Sequence, residues 1–157
     1  MTSSPKRIPV SLIAYVVWSA ITLLAMRWLV PGEHSLLESV CNGVGWNFVL
    51  AILFLAVLTR INRWTDLAFV RPSSLRSLRI LWLPALYLMV FFGLAVIKGI
   101  QLATPQILFV VLNTALVGLS EEFMFRGVFF RALRSRLYLW PAILLASVLF
   151  GGVHVFN

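Results

Sequence analysis

Apolar runs of about 20 residues, separated by arginine-bearing segments, limit what this chain can fold into, because each is long enough to cross a bilayer as one helix. There are five: roughly Pro9 to Val30, Val40 to Leu58, Ile80 to Ala103, Gln106 to Phe130, and Leu137 to the end. Of the 157 residues, 61% are hydrophobic and 11% charged, whereas a soluble domain has roughly half and a quarter. A water-soluble globule of this size has no interior large enough for that excess. The sequence therefore predicts an all-α fold: a polytopic membrane helix bundle of about five transmembrane helices, forming a single membrane domain over residues 1–157. No soluble domain fits between the runs, and there is no internal repeat or low-complexity tract. The first run follows Lys6 and Arg7, as in a signal peptide. Its apolar length exceeds the roughly 7–15 residues of such a segment, so it is read as a retained span.

The charges give an orientation. The net charge is +8, but the basic residues sit mainly between the apolar runs, so membrane topology accounts for them and nucleic acid is not an expected partner. Lys6 and Arg7 precede the first run. The segment Pro31–Ser39 carries Glu33 and Glu38 and no Lys or Arg. Arg60, Arg63, Arg71, Arg76 and Arg79 follow the second run, Lys98 lies near the third turn, and Arg131, Arg134 and Arg136 follow the fourth run. Basic and non-basic segments alternate, which predicts a multi-pass protein of the cell membrane with a cytoplasmic N-terminus. Trp28, Trp64, Trp82 and Trp140 fall near run ends, as headgroup-level aromatic belts do. The Arg60–Arg79 segment is expected along the lipid surface, with Ser73 or Ser74 as a helix cap.

The single cysteine, Cys41, excludes an internal disulfide and a cysteine-rich metal site. There is no HExxH pattern, and His34 sits in the acidic outer loop. No metal and no cofactor are expected.

The fourth run, QILFVVLNTALVGLSEEFMFRGVFFRAL, is interrupted by Glu121, Glu122 and Arg126. Charges at a span's centre cost about 2.5–3.5 kcal/mol each, so this helix should belong to a bundle with its charged face turned inward. Glu122 and Arg126 are four apart and can pair; removing Arg126 from a buried pair would cost about 3–5 kcal/mol. Glu121 points about 100° away, on a face with Thr114, Gly118 and Phe125. One arginine neutralises one glutamate well, which leaves Glu121 freer to take a proton from water. A structural ion pair that fixes helix register and a proton or cation site in a carrier remain open alternatives at this point.

In the fifth run, LYLWPAILLASVLFGGVHVFN, Ser147, Phe150, His154 and Asn157 fall on one face at helical spacing, with Gly151 and Gly152 beside it to admit another helix closely. His154 reads either as a hydrogen-bonded structural group or as a catalytic one. Counted from the basic segment at 1.5 Å per residue, Glu121 lies about 15 Å deep and His154 about 21–25 Å, a mismatch that tilt or a short re-entry would have to close.

SEEFMFRG fits an EExxxR pattern and FGGVH an FxxxH pattern. On successive apolar helices the two resemble the CAAX prenyl endopeptidase and bacteriocin-processing family (CPBP, or Abi), over about Leu112 to Asn157. The resemblance implies an intramembrane glutamate protease that needs no metal. In it Glu121 would activate water, His154 would orient that water, and Glu122 and Arg126 would shape and charge-balance the site. The substrate would be a peptide or protein, and the lipid bilayer the other partner. Family members usually continue through further spans with a later His and an Asn that line an oxyanion hole, so this chain is expected to be a C-terminally truncated family core. Two rivals follow: an inactive member acting in bacteriocin immunity or partner binding, and a small ion-carrier subunit using Glu121 and Glu122.

Overall fold

The computed structural model describes residues 6–29, 44–67, 74, 79, 82–97 and 104–155. Their regular structure is entirely helical. We number the α-helices α1 (Arg7–Leu29), α2 (Val44–Ile61), α3 (Trp82–Ile97), α4 (Thr104–Glu122), α5 (Arg131–Arg134) and α6 (Leu139–Val155). A π-helical segment, Phe123–Phe130, joins α4 to α5 without a break, so the fourth apolar run forms one continuous rod from Thr104 to Arg134. The five runs thus become five helical rods. His34, Cys41, Lys98, Asn157, the Pro31–Ser39 loop and Ser73 lie outside the described residues, as does most of the Arg60–Arg79 segment beyond Leu67.

Proline marks where four of these rods begin. Pro9, Pro84, Pro105 and Pro141 each fall within the first three residues of their helix, where a backbone N–H has no intrahelical acceptor and its absence costs nothing. Helix α2 ends differently. Arg63 adopts φ 52. Its N–H reaches the Arg60 carbonyl at 3.1 Å, and the Trp64 N–H reaches that of Thr59 at 2.9 Å. This pair of bonds is a Schellman motif, formed here without the usual glycine. The turn it makes sends Trp64 and Asp66 back toward the start of α1.

Helix α1 packs against α2, the π segment and α5, and α2 packs against α4. The contacts combine large and small side chains. Trp18, Leu55, Met124 and Val128 are buried, together with Ala14, Ala51, Ala132 and Ala142. In an apolar solvent no hydrophobic force drives helices together, so close backbone approach at small residues and hydrogen bonds between helices do the holding. The Asn47 amide donates to the Thr22 carbonyl at 2.8 Å, joining α2 to α1. The Trp18 indole donates to Ser120 Oγ at 2.8 Å, joining α1 to α4. The Tyr15 hydroxyl donates to the Leu149 carbonyl at 3.1 Å, joining α1 to α6.

The outward faces are apolar. Leu12, Ile13, Val16, Leu53, Val57, Leu108, Leu112, Leu144 and Val148 are all exposed. So are Trp82, Leu86, Tyr87, Met89, Val90, Leu94 and Ile97 along α3, a helix with no extensive contact to another described helix. Among the described residues, two helical stretches, Arg7–Leu24 and Ile107–Arg134, are long and apolar enough to cross a membrane, and Gly45–Ile61 and Leu139–Val155 are shorter apolar helices.

One end of the bundle is basic and tied together. Arg7 grips Asp66 with two bonds, Nη1–Oδ2 at 2.9 Å and Nη2–Oδ1 at 2.8 Å. The guanidinium carbon lies 5.1 Å from the centre of the Trp64 ring, so this tryptophan is a cation–π partner as well as a residue near a helix end. The bonded Arg7 holds the Asp66 carboxyl below its ordinary range, outweighing the opposing effect of partial burial, and the Arg131 charge adds to the lowering. The start of α1, the segment after α2 and the start of α5 therefore share one end of the bundle.

Candidate active site

Glu121 and Glu122 are the last two residues of α4, and the wider π winding begins immediately after them. π turns form i→i+5 bonds and occur disproportionately at functional sites. This segment is also the most enclosed part of the rod, with Phe123, Met124, Phe125, Gly127, Val128 and Phe129 all buried. Close packing at its centre depends on Gly127, where a Cβ would come within 3.2 Å of a Phe123 ring carbon.

The two motifs converge. Nε2 of His154, on α6, lies 3.6 Å from Oε1 of Glu121. The depth mismatch counted from the sequence narrows because the hairpin turn comes later than the first basic residue. Arg131–Arg134 is still helical and the turn occupies residues 135–138. Counted from this turn at 1.5 Å per residue, Glu121 sits roughly 20 Å and His154 roughly 23 Å along their rods. The turn is closed by bonds from the Ser135 N–H to the Arg131 and Ala132 carbonyls, both 3.2 Å, and from Arg134 Nη1 to the Leu137 carbonyl at 2.8 Å.

The second imidazole nitrogen fixes the ring. Nδ1 of His154 is 2.9 Å from the Phe150 carbonyl oxygen. A carbonyl only accepts, so Nδ1 carries the proton. In the neutral ring Nε2 then presents its lone pair toward Glu121.

Glu122 and Arg126 do pair, with Arg126 Nε 3.1 Å from Glu122 Oε2. Both are exposed, however, rather than turned into the bundle. The face they occupy borders an open cavity of about 630 Å³ between the fourth rod and α6. Gly118, Glu121, Glu122, Phe125 and Arg126 line one side of it, and Ile143, Ala146, Ser147 and Phe150 the other. The face proposed from spacing for α4 is thus largely present in the cavity wall, and so are two of the residues aligned with His154. Thr114 instead donates to its own helix at the Val110 carbonyl, 2.8 Å. Gly151 and Gly152 meet no described helix: a Cβ at either would have nothing within 4 Å. Among the described residues no group of three His, Cys, Asp or Glu side chains is placed to hold a metal ion.

Sequence reasoning missed the support from α1. Trp18 bonds Ser120, the residue before Glu121. Its ring lies edge-on to Phe125 at 5.5 Å. Phe125 continues to Phe150 at 5.0 Å, and Phe150 to the His154 ring at 4.6 Å. The signal was there: Trp18 stands in the middle of its apolar run, where a headgroup belt cannot explain it and where the indole N–H must find an acceptor.

Comparison with known proteins agrees with the motifs. Residues 103–157 match the family model described as type II CAAX prenyl endopeptidase Rce1-like. No curated protein and no solved structure is similar enough to the chain to count as a match. The matched region begins just ahead of α4 and takes in the π segment, both glutamates, Arg126 and His154. Over residues 103–157, about a third of its length, the chain is similar to the type II CAAX prenyl endopeptidase Rce1-like family.

Proposed function

We propose that the chain is a membrane-embedded endopeptidase that hydrolyses a peptide bond with water activated by Glu121, without a metal. The observation that carries this reading is the 3.6 Å approach of His154 Nε2 to Glu121 Oε1, beside a cavity and inside the family-matched region. With Nδ1 committed to the Phe150 carbonyl, Nε2 and the Glu121 carboxylate both accept. A water in reach of both can donate one O–H to each. Glu121 takes a proton from that water, the hydroxide attacks the substrate carbonyl, and the same carboxyl returns the proton to the leaving amine. His154 orients and polarises the water. Glu122 and Arg126 form a neutral pair next to Glu121, so Arg126 leaves the base uncancelled. The substrate is a peptide or protein segment that reaches the cavity from the membrane or the cytosol.

The same reading makes the chain multi-pass, with its N-terminus and the Arg60–Arg79 segment on the cytoplasmic side. Support comes from the alternation of basic segments and from the Arg7–Asp66 bonds, which bring two of those segments to one end of the bundle. Single cysteines placed in Pro31–Ser39 and in Arg60–Arg79, with Cys41 replaced, should be labelled from opposite faces of sealed vesicles. Equal labelling of both from one face would reject this topology.

For the chemistry, turnover of a quenched peptide in liposomes is the direct assay. Glu121→Gln keeps the shape but cannot accept a proton at neutral pH, and should abolish cleavage in a protein that still folds. His154→Ala should be similarly damaging, and chelators should have no effect. Cleavage by Glu121→Gln would reject Glu121 as the base.

A further inference from the structure

The separation between Glu121 and His154 is a relation between two rods, and the described contacts between those rods near it are aromatic rather than polar. The hydrogen bonds that fix the two rods come from a third. Tyr15 and Trp18 are three apart on α1 and share a face. The Tyr15 hydroxyl donates to the carbonyl of Leu149, directly before Phe150, whose own carbonyl holds His154 Nδ1. Trp18 Nε1 donates to Oγ of Ser120, directly before Glu121. Trp18 and Ser120 are both fully enclosed. Between the two bonds lies Phe125, in edge contact with Tyr15 at 6.0 Å and with Trp18 at 5.5 Å.

Building on the protease reading, we propose that α1 is a two-point clamp: Tyr15 and Trp18 are positioning residues that set the distance between Glu121 and His154. Each bond attaches to the backbone or side chain immediately before a residue of the site. A displacement of either rod along or around its axis therefore passes directly into the 3.6 Å gap. Neither ring touches the reacting atoms, so their effect is on geometry alone. Misplacing catalytic groups by about 1 Å can cost on the order of a hundredfold in rate.

The test uses Tyr15→Phe and Trp18→Phe in the full chain, each of which keeps an aromatic ring and deletes one donor. Asn47→Leu is the control, since it deletes a bond to the same helix α1 at Thr22, away from the site. Two readouts are needed. In peptide cleavage, Tyr15→Phe and Trp18→Phe should lower kcat by roughly ten- to a hundredfold with KM unchanged, while Asn47→Leu lowers thermal stability and leaves kcat near wild type. In protein labelled with ¹⁵N only at histidine, the His154 ring signal, identified by its loss in His154→Ala, should move in both ring variants and stay in Asn47→Leu. Unchanged kcat and an unmoved His154 signal in the ring variants would overturn the clamp. So would equal loss of kcat in Asn47→Leu, which would mean that any loosening of α1 suffices. The control Glu121→Gln separates the two ideas: if it still cleaves, the protease mechanism falls, and the histidine spectra alone then decide whether α1 sets the geometry.

Discussion

Two ion pairs in this molecule have opposite characters. Arg7 and Asp66 are 59 residues apart, joined by two bonds, and their side chains are only 11% and 26% exposed. Arg126 and Glu122 are four residues apart, joined by one contact of 3.1 Å, and are 73% and 50% exposed. The first lies beyond the apolar part of the rods and closes a tertiary junction. The second lies within an apolar rod and closes nothing. The long-range pair spends its charges on structure. The local pair keeps two charges available at a cavity wall, where a structural pair would have been buried. Sequence spacing found the second and had no means of finding the first.

The largest expected effect comes from breaking the junction. Asp66→Ala leaves the nearly enclosed Arg7 guanidinium without its carboxylate, and charge-assisted bonds are worth roughly 1.5–3 kcal/mol each. Thermal unfolding in detergent should show a loss of at least that size, with a much smaller further loss in the Arg7→Met/Asp66→Ala double variant than the sum of the single ones. Additive losses would mean that the two residues do not act as a pair.

Acid should weaken the same junction. The bonded Arg7 lowers the folded-state pKa of Asp66 below its ordinary value. A depressed carboxyl contributes stability that is complete above the unfolded pKa, near about 4, and is lost as pH falls through the lower folded value. Unfolding midpoints measured from neutral pH downward should fall in that acid range, and Asp66→Asn should flatten the fall. An identical acid limb in Asp66→Asn would assign it to other carboxyls.

A smaller gain tests the turn that delivers Asp66 to Arg7. Arg63 holds φ 52, a conformation that costs a non-glycine residue roughly 1 kcal/mol or somewhat more. Arg63→Gly should raise stability by up to that amount, and a drop would show that the arginine side chain contributes more than its backbone costs. The smallest stability effect is expected at the local pair. A buried pair would have lost about 3–5 kcal/mol on Arg126→Leu, but one exposed at an open cavity should lose under about 1 kcal/mol. A large stability loss would mean that lipid or another helix covers that face. The activity of Arg126→Leu should nevertheless fall, because Glu122 then stands uncompensated beside Glu121.

The contrast also explains what the sequence disclosed. Length and hydropathy located four of the five rods to within about four residues, because apolar surroundings leave a backbone no alternative to helix; the third, expected to Ala103, is described as helix only to Ile97. Periodicity grouped Gly118 and Phe125 on one face and Ser147 and Phe150 on another, and all four line the same cavity; the two motifs contain Glu121 and His154, which approach to 3.6 Å. The π segment was not legible. FMFRGVFF is compatible with an ordinary α-helix, and the wider winding is accompanied by enclosure of Phe123, Met124 and Val128 among residues distant in sequence. The end of the fourth rod was placed too early, at Phe130, because Arg131 and Arg134 were read as loop. Long basic side chains can reach outward while their backbone stays helical. The Arg7–Asp66 bonds and the two donors on α1 depend on rods meeting in space, which residue spacing within one rod does not encode.

The π segment has a consequence for comparing this chain with its relatives. Each i→i+5 turn takes up one residue more than an α turn, so the rod behaves like a dial whose two ends are out of phase. Glu121 and Glu122 are set before the offset, Arg131 and Arg134 after it. Deleting one residue between Arg126 and Phe130 would let that stretch relax to ordinary winding and rotate the basic end against the acidic end, with neither end leaving its helix and the EExxxR spacing intact. A one-residue length difference between related sequences at this point is therefore best read as an angular setting, and two proteins can share both motifs while presenting their arginines in different directions.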